Sequence, residues 1–350
     1  MSIRELTIDE FNAFVRNSPL GTHYQTFNYA LLMGENGYEY ELVGMFNEYN
    51  QLKAASLILF KNLKMHYKYG YAPKGFILDY FNQEIVSEFA TLLKSYYKKK
   101  KVVFIKINPE IAISEIDKES GLKTYNWNYN ILEIMEKAGF KKLKDNLYFE
   151  SVLPRFSAVV SLKNYSMNSV SKNTRNKIRR AHHKGLHIEL AEKSGIDILQ
   201  KFIKNKRTIN EYYYKDYYNV FKKDDMIDLF LVSIDSEEFL MNSRELYEKE
   251  LEINNRLVSL LNRENNKRNL NKKMDSDRKI LNYKQDVKFA TELNTKKDKV
   301  YIAGALVIKY QNRVQILMSG YDKKYKRFEA NYYLHDEILK YYQKNYDLPN

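Results

Sequence analysis

The sequence predicts a mixed α/β protein, α+β in character, built as two lobes with a two-helix arm inserted into the second. Three observations lead there. At 350 residues and 44% hydrophobic, the chain exceeds what a single core usually organises. A strand, a second strand, a glycine-containing loop and a helix recur in that order in both halves. The stretch 236–298 carries apolar residues at helical spacing on two successive segments.

Residues 7–16 read as a short helix and 27–33 as another, after a turn at Ser18-Pro19. The run Ala54-Ala55-Ser56-Leu57-Ile58-Leu59-Phe60 makes 52–60 a strand, and 65–71 a second one ahead of the loop Ala72-Pro73-Lys74-Gly75. A helix over 82–97 leads to a strand expected to be buried, Val102–Ile107. The first lobe closes with a helix at 131–138, a stop at Gly139-Phe140 and further strand material. The second lobe opens with a strand at 157–162 and a helix at 168–184. Beyond the arm, 300–308 and 314–318 form a hairpin turning at Gln311-Asn312. A helix follows, with Ala330, Leu334, Ile338 and Tyr341 on one face. The expected divisions are 1–150 for the first lobe, 151–235 with 299–350 for the second, and 236–298 for the arm. The second lobe stops where a strand matching Val102–Ile107 would begin.

In the arm, Leu240, Tyr247, Leu251, Val258 and Leu261 fall on one heptad seam, interrupted by Arg244 and Asn254. Ile280, Tyr283, Val287 and Ala290 return at spacings of three, four and three. The Asn-rich stretch 262–272 between them suits a hairpin tip, because Asn competes with helical backbone bonding. Two antiparallel helices joined by a polar loop fit this pattern.

The net charge of +14 favours a polyanionic partner, although a chain saturated with Lys, Asn, Ile and Tyr reaches such a charge by composition alone. The sharper signal is local. Lys172, Arg175, Lys177, Arg179, Arg180 and Lys184 fall within thirteen residues that contain no acid, on one expected helix. Such a face neutralises several phosphates. The chain has no cysteine, which excludes disulfides, thiolate nucleophiles and Cys-based zinc sites. His182-His183 point about 100° apart on a helix and suggest no metal. No nucleophile elbow, phosphate-binding loop or dinucleotide fingerprint is present. Any catalysis would rest on positioning and electrostatics. The start of the chain lacks a signal-peptide pattern and no apolar run approaches a membrane span, so a cytoplasmic protein is expected.

Several segments together resemble the FemABX family of peptidoglycan bridge-forming aminoacyltransferases. They are His23-Tyr24-Gln25-Thr26, the Gly37-Tyr38-Glu39-Tyr40-Glu41-Leu42-Val43-Gly44 run and the Lys74-Gly75-Phe76-Ile77-Leu78-Asp79-Tyr80 segment. The stretch 162–184, the helical insertion and Tyr325-Lys326-Arg327-Phe328-Glu329-Ala330-Asn331-Tyr332 complete the set. The resemblance implies two lobes of the GNAT N-acyltransferase type and a coiled-coil arm. It also implies transfer of glycine, serine or alanine from charged tRNA to the stem peptide of a peptidoglycan precursor. That precursor is either lipid II or a nucleotide-linked muropeptide. No cofactor or metal is implied. The implied setting is the cytoplasm, at the inner membrane face, with homo- or hetero-oligomers of family members as further partners.

By the same resemblance, Lys74 matches the basic residue of the family's Gly/Pro loop, and Arg207 and Tyr217 match an Arg and a Tyr ahead of the arm. Tyr213 stands where a second arginine is expected, with Lys215 close by. Asn108 stands where the family has an aspartate before proline. These six are the precursor-binding candidates, and the basic helix is the tRNA-binding candidate. Tyr325, Phe328 and Tyr332 mark a second-lobe motif, either structural or functional, and no catalytic residue is assigned. Met33 replaces a family lysine, Ser319-Gly320 a Gly-Gly pair, and the family continues some tens of residues past the equivalent of Asn350. The alternative expectation is therefore an inactive relative that binds tRNA or precursor, or partners an active homologue.

Overall fold

The computed structural model describes residues 1–117, 119–143, 156–203, 213–295 and 299–345. The chain divides into two compact units. The first comprises Met1–Ala158, Tyr212–Met226 and Lys309–Arg313, and the second Val159–Glu211, Ile227–Ile308 and Val314–Asn350.

In the first unit, Ser2–Glu5 (β1) is followed by Ile8–Arg16 (α1), which Thr7 starts. Its hydroxyl accepts the Glu10 N–H while the Glu10 carboxylate accepts the Thr7 N–H, so two orphan donors are satisfied. Phe27–Glu35 (α2) precedes Glu39–Phe46 (β2), Leu52–Asn62 (β3) and Lys68–Ala72 (β4). These strands pair antiparallel in sequence order, and Val102–Ile107 (β5) adds parallel to β4. The connection to β5 is Gln83–Lys99 (α3), capped by Asn82. Its Val86, Phe89, Leu93 and Tyr97 pack on Ala54, Ile58 and Phe60 of β3. The continuous apolar run of β3 is thereby explained, since helices touch it as well as neighbouring strands. A two-stranded sheet of Ser114–Ile116 (β6) and Lys123–Tyr125 (β7) precedes Ile131–Lys137 (α4).

In the second unit, Lys172–His182 (α5), Leu186–Ala191 (β8) and Gly195–Ile203 (α6) come first. Tyr213–Lys222 (α7) lies between them and Ile227–Ile234 (β9) in sequence but groups with the first unit. Next come Ser236–Arg263 (α8), Lys267–Asn294 (α9), Val300–Tyr310 (β10), Arg313–Tyr321 (β11) and Ala330–Asn345 (α10). The sheet order is β11-β10-β9-β8. Its core gathers Phe230 and Val232 of β9, Ile302 and Ala305 of β10, and Leu334, Ile338 and Tyr342 of α10. All eight residues of β9 are buried, as befits a strand with neighbours on both sides.

Several expectations need correction. The segment 157–162 forms no strand, and Val159 is exposed; no neighbouring strand among the described residues pairs with it. The strand expected from residue 65 begins at Lys68, because Met65 and His66 have positive φ. The helix expected from 168 begins at Lys172, with Ser171 as its cap. β5 is not buried throughout: Val103 and Phe104 are exposed, since β4 is its one partner among the described residues. The strand material expected after Phe140 falls largely on 144–155, outside the described residues. Residues 212–226 and 309–313, assigned above to the second lobe, group with the first unit. The amide of Asn28 in α2 donates to Val220 and Asp224, and that of Gln311 donates to the carbonyls of Val15, Arg16 and Ser18.

α8 and α9 run antiparallel. Ser236 bonds Asn294, Glu250 meets Lys279 and Asn254 bonds Ser276 and Asp277, so successive contacts move in opposite directions along the two helices. Leu240, Tyr247, Asn254 and Leu261 are half-buried along the helix. The second row is shifted by one position: Arg244 and Val258 are exposed, while Ser243 and Glu250 are buried. Glu250 on that row pairs with Lys279 at the middle of the hairpin, 3.5 Å away. No helix among the described residues is long and apolar enough to cross a membrane.

Candidate functional site

The loop Pro73-Lys74-Gly75 after β4 is held by two side-chain amides. Gln25, buried, accepts the Leu57 N–H at 2.8 Å through its oxygen and donates to Pro73 O at 2.8 Å and Leu57 O at 3.3 Å. A Cβ on Gly75 would lie 2.8 Å from the Gln25 amide nitrogen, so this close approach requires glycine. Asn108 accepts the Lys74 N–H at 2.9 Å and the Tyr71 hydroxyl at 3.1 Å. Lys74 itself has φ of 53°, a left-handed conformation that costs a non-glycine residue energy unless its surroundings fix it. Its ammonium lies 4.0 Å from Glu110, which also meets Arg313 at 3.7 Å. The neutral Asn108 amide thus fixes the lysine backbone while Glu110 supplies the nearby negative charge.

Behind this loop lies an aromatic box. The His23 ring sits 3.9 Å from Tyr24, 6.1 Å from Phe221 and 6.4 Å from Tyr217, centroid to centroid. His23 Nε2 and the Tyr217 hydroxyl are both buried without a hydrogen-bond partner among the described residues. Burial, and secondly the charge of Lys74, pulls the His23 imidazolium down to about 3, so the ring is neutral at ordinary pH. Burial likewise pushes the Tyr217 phenol well above its usual range. Tyr213 packs edge-on to Tyr217 at 5.8 Å.

In the second unit, Lys177 and Arg180 of α5, with Lys184 just past its end, meet the 325–332 segment. Lys177 donates to the Tyr332 hydroxyl at 2.8 Å and Arg180 pairs with Glu329 at 3.5 Å. Lys184 donates to Arg327 O and lies over the Phe328 ring. Burial, then the charges of Arg327 and Arg180, brings the Lys184 ammonium down to about 8. Arg175 donates to Met167 O, which leaves Lys172 and Arg179 without a partner among the described residues. Phe328 is fully buried against Phe239 of α8 and Phe289 of α9, and Arg327 pairs with Asp286 of α9. The same segment therefore anchors the base of the arm and the basic helix.

A family model described as the FemAB family matches residues 6–347. The chain belongs to the FemAB family. Among curated FemAB relatives, a lipid II:glycine glycyltransferase of Staphylococcus epidermidis is 25% identical over 97% of this chain and 81% of its own length. An aminoacyltransferase FemA of the same species is 25% identical over 97% of this chain and 84% of its own. The FemA of Staphylococcus aureus is 24% identical over the same shares. Both kinds of relative are transferases by name. A crystal structure of FemX superposes with a TM-score of 0.74 at 21% identity, covering 99% of this chain and 87% of that one, and shows the same fold.

Of the FemAB-derived candidates, Lys74, Asn108, Tyr213 and Tyr217 all lie in the first unit, with Lys74 and Asn108 in direct contact. Lys215 stands on α7 between the two tyrosines. Arg207 lies outside the described residues. His23, Gln25 and Glu110 were not singled out as site residues, although His23 and Gln25 stand in a motif that was. Spacing alone does not show that an amide braces a loop 48 residues away. His182 also has carboxylate neighbours that lie on another helix. Asp336 and Glu337 of α10 lie 3.6 and 3.7 Å from it, and Lys340 already occupies that cluster at 2.7 and 3.0 Å. Burial opposes the charge on Asp336, and bonds from His182, Lys340 and Tyr165 outweigh it, keeping its carboxyl below the usual range.

Proposed function

We propose that this chain transfers an amino acid, glycine, serine or alanine, from its charged tRNA to the stem peptide of a peptidoglycan precursor. The observation that carries the reading is the FemAB match across residues 6–347, together with relatives named for aminoacyl transfer and for lipid II. On this reading each unit is a GNAT-type lobe, the hairpin of α8 and α9 is a coiled-coil arm, and the protein works in the cytoplasm at the membrane face. Lys74, Asn108 and Tyr217, with Arg207, Tyr213 and Lys215, hold the precursor, and α5 meets the tRNA. An aminoacyl ester is already activated, so the protein has to align the acceptor amine, ease its deprotonation and stabilise the developing oxyanion. A lysine held rigidly by Gln25 and Asn108 suits the positioning of an anionic acceptor, because little freedom remains to be lost on binding.

One observation favours the second reading, a binding partner without turnover. Among the described residues the carboxylate paired with Lys74 is Glu110, which also meets Arg313, and Asn108 has no basic group to offer. The test is transfer of labelled Gly, Ser or Ala from tRNA to lipid-linked and nucleotide-linked precursor by the purified protein. Transfer with any one supports the first reading. Folded protein that binds precursor or tRNA but transfers none of the three supports the second, and absence of both binding and transfer sinks both.

A further inference from the structure

The end of α5 and the middle of α10 bring together three side chains of metal-binding type, in a cluster that the transfer reading leaves unused. His182 Nε2 lies 3.6 Å from Asp336 Oδ2 and 3.7 Å from Glu337 Oε1, and the three donor atoms all fall within 4.8 Å of one another. The two helices are packed together in one core, which includes Ala181 of α5 and Leu334 and Ile338 of α10. The adjacent histidine, His183, diverges from His182 along α5, and the partners of His182 come from the facing helix instead. We propose that His182, Asp336 and Glu337 form a site for one zinc ion, with water in the fourth position, that clasps the end of the basic helix to α10. The proposal is independent of the transfer reading.

The first support is a buried carboxylate. Asp336 is 1% exposed, and its Oδ2 accepts no well-formed hydrogen bond among the described residues. A buried carboxylate oxygen in that condition needs a cation to face it. Lys340 supplies one: its ammonium is 2.7 Å from Oδ2, at an angle outside hydrogen-bond geometry, and 3.0 Å from Glu337 Oε1. The Lys340 side chain is 41% exposed, so it can swing into solvent and yield its place. A divalent ion there balances both carboxylates, where the single ammonium balances one. The second support is spacing. Ligands about 2.0–2.2 Å from a tetrahedral zinc lie roughly 3.3–3.6 Å apart, close to both His182 separations, whereas a well-formed hydrogen bond spans about 2.7–3.2 Å. An imidazole with two carboxylates also favours zinc over calcium or magnesium, which take oxygen ligands. The third is bracing. The Tyr165 hydroxyl donates to Asp336 Oδ1, so Oδ2 is left to the cluster, and the His182 ring packs edge-on to Tyr333 at 5.0 Å. The Gln343 amide donates to the carbonyls of Leu162 and Tyr165 and holds that segment on α10. A second cluster, His187, Asp235 and Glu238, lacks these features: none of the three is buried, Asp235 caps α8 and His187 already bonds Glu238 at 2.7 Å.

The test uses the full-length protein without an affinity tag, stripped with EDTA, dialysed and titrated with zinc against a chromophoric chelator. One zinc per chain is expected, bound at micromolar concentration or below, and cobalt in its place is expected to show the intense visible bands of a tetrahedral site. His182→Ala is expected to weaken binding by roughly a hundredfold or more, and Tyr165→Phe, which loses the bond that orients Asp336, by about tenfold. Lys340→Met removes the competing cation and is expected to tighten binding about tenfold, a gain that damage to the fold does not produce. Circular dichroism of the stripped variants checks their folds. Binding that survives His182→Ala and is lost in His187→Ala would assign the ion to the other cluster and overturn the proposal. So would no zinc uptake by the stripped parent, or an unchanged affinity in Lys340→Met. None of these readings requires catalysis, so their failure is separable from failure of the transferase reading.

Discussion

His23 offers a quantitative test of the aromatic box. Its imidazole is buried and neutral in the folded protein, with the protonated form pushed down to about 3, whereas an unfolded histidine titrates near 6.5. The unfolded chain therefore binds the extra proton first as pH falls. The stability tied to His23 is complete above about pH 6.5 and is lost progressively down to about 3. Between pH 7 and pH 5 the linkage relation gives a loss of about 2 kcal/mol from this residue alone. His23→Phe keeps an aromatic ring and removes the titration, and because Nε2 has no partner among the described residues, little hydrogen bonding is lost with it. Urea unfolding at pH 7 and pH 5 of parent and variant measures the effect, and carboxylates common to both cancel in the difference. The parent should lose about 2 kcal/mol more than His23→Phe over that interval. Equal losses would refute the reasoning, since they would mean that His23 is protonated in the folded state or is not buried.

Two further outcomes test the second unit. Phe328→Ala opens a cavity between Phe239 and Phe289, and should cost about 3–5 kcal/mol in urea unfolding while speeding proteolysis within α8 and α9; Tyr325→Phe, whose hydroxyl has no partner among the described residues, should stay within about 0.5 kcal/mol. If α5 meets tRNA, Lys172→Ala with Arg179→Ala should lower the slope of log K against log salt by about 2, and Lys177→Ala, tied to Tyr332, by less than about 1. Filter binding between 50 and 200 mM salt reads both, and an unchanged slope in the double variant removes α5 from the interface.

What the sequence made legible was mostly what periodicity encodes. The hairpin of α8 and α9, the helices around Phe89 and Leu334, and the turn at Gln311 announce themselves through spacing and turn chemistry. β9 was missed although every residue in it is buried, because a strand covered on both faces has no alternation to display. α7 was missed because its four tyrosines and one phenylalanine can serve packing in any element. One row of the α8 seam differs from expectation because Glu250 and Ser243, polar by type, are turned inward while Val258 is exposed. In the site, resemblance supplied Lys74 and Asn108, but not what fixes them. That depends on Gln25, whose bonds span β3 and the loop after β4, and on a conformation at Lys74 that no residue type would advertise.

The grouping of α7 and 309–313 with the first unit has a consequence for vectorial synthesis. The first 158 residues leave the ribosome together, yet the aromatic box lacks Tyr217 and Phe221 until residue 221 has been made, and the end of α1 lacks Gln311 until residue 311. At 5–20 residues per second, the first delay is roughly 3–13 s and the second roughly 8–30 s. During the first delay His23 and Tyr24 lack their α7 neighbours, and the first unit is complete only once residue 313 has been made, after most of the second. A nascent chain halted within the arm would thus carry α7 already made and lack only the 309–313 piece of the first unit, and the arm is the longest element through which that piece must wait.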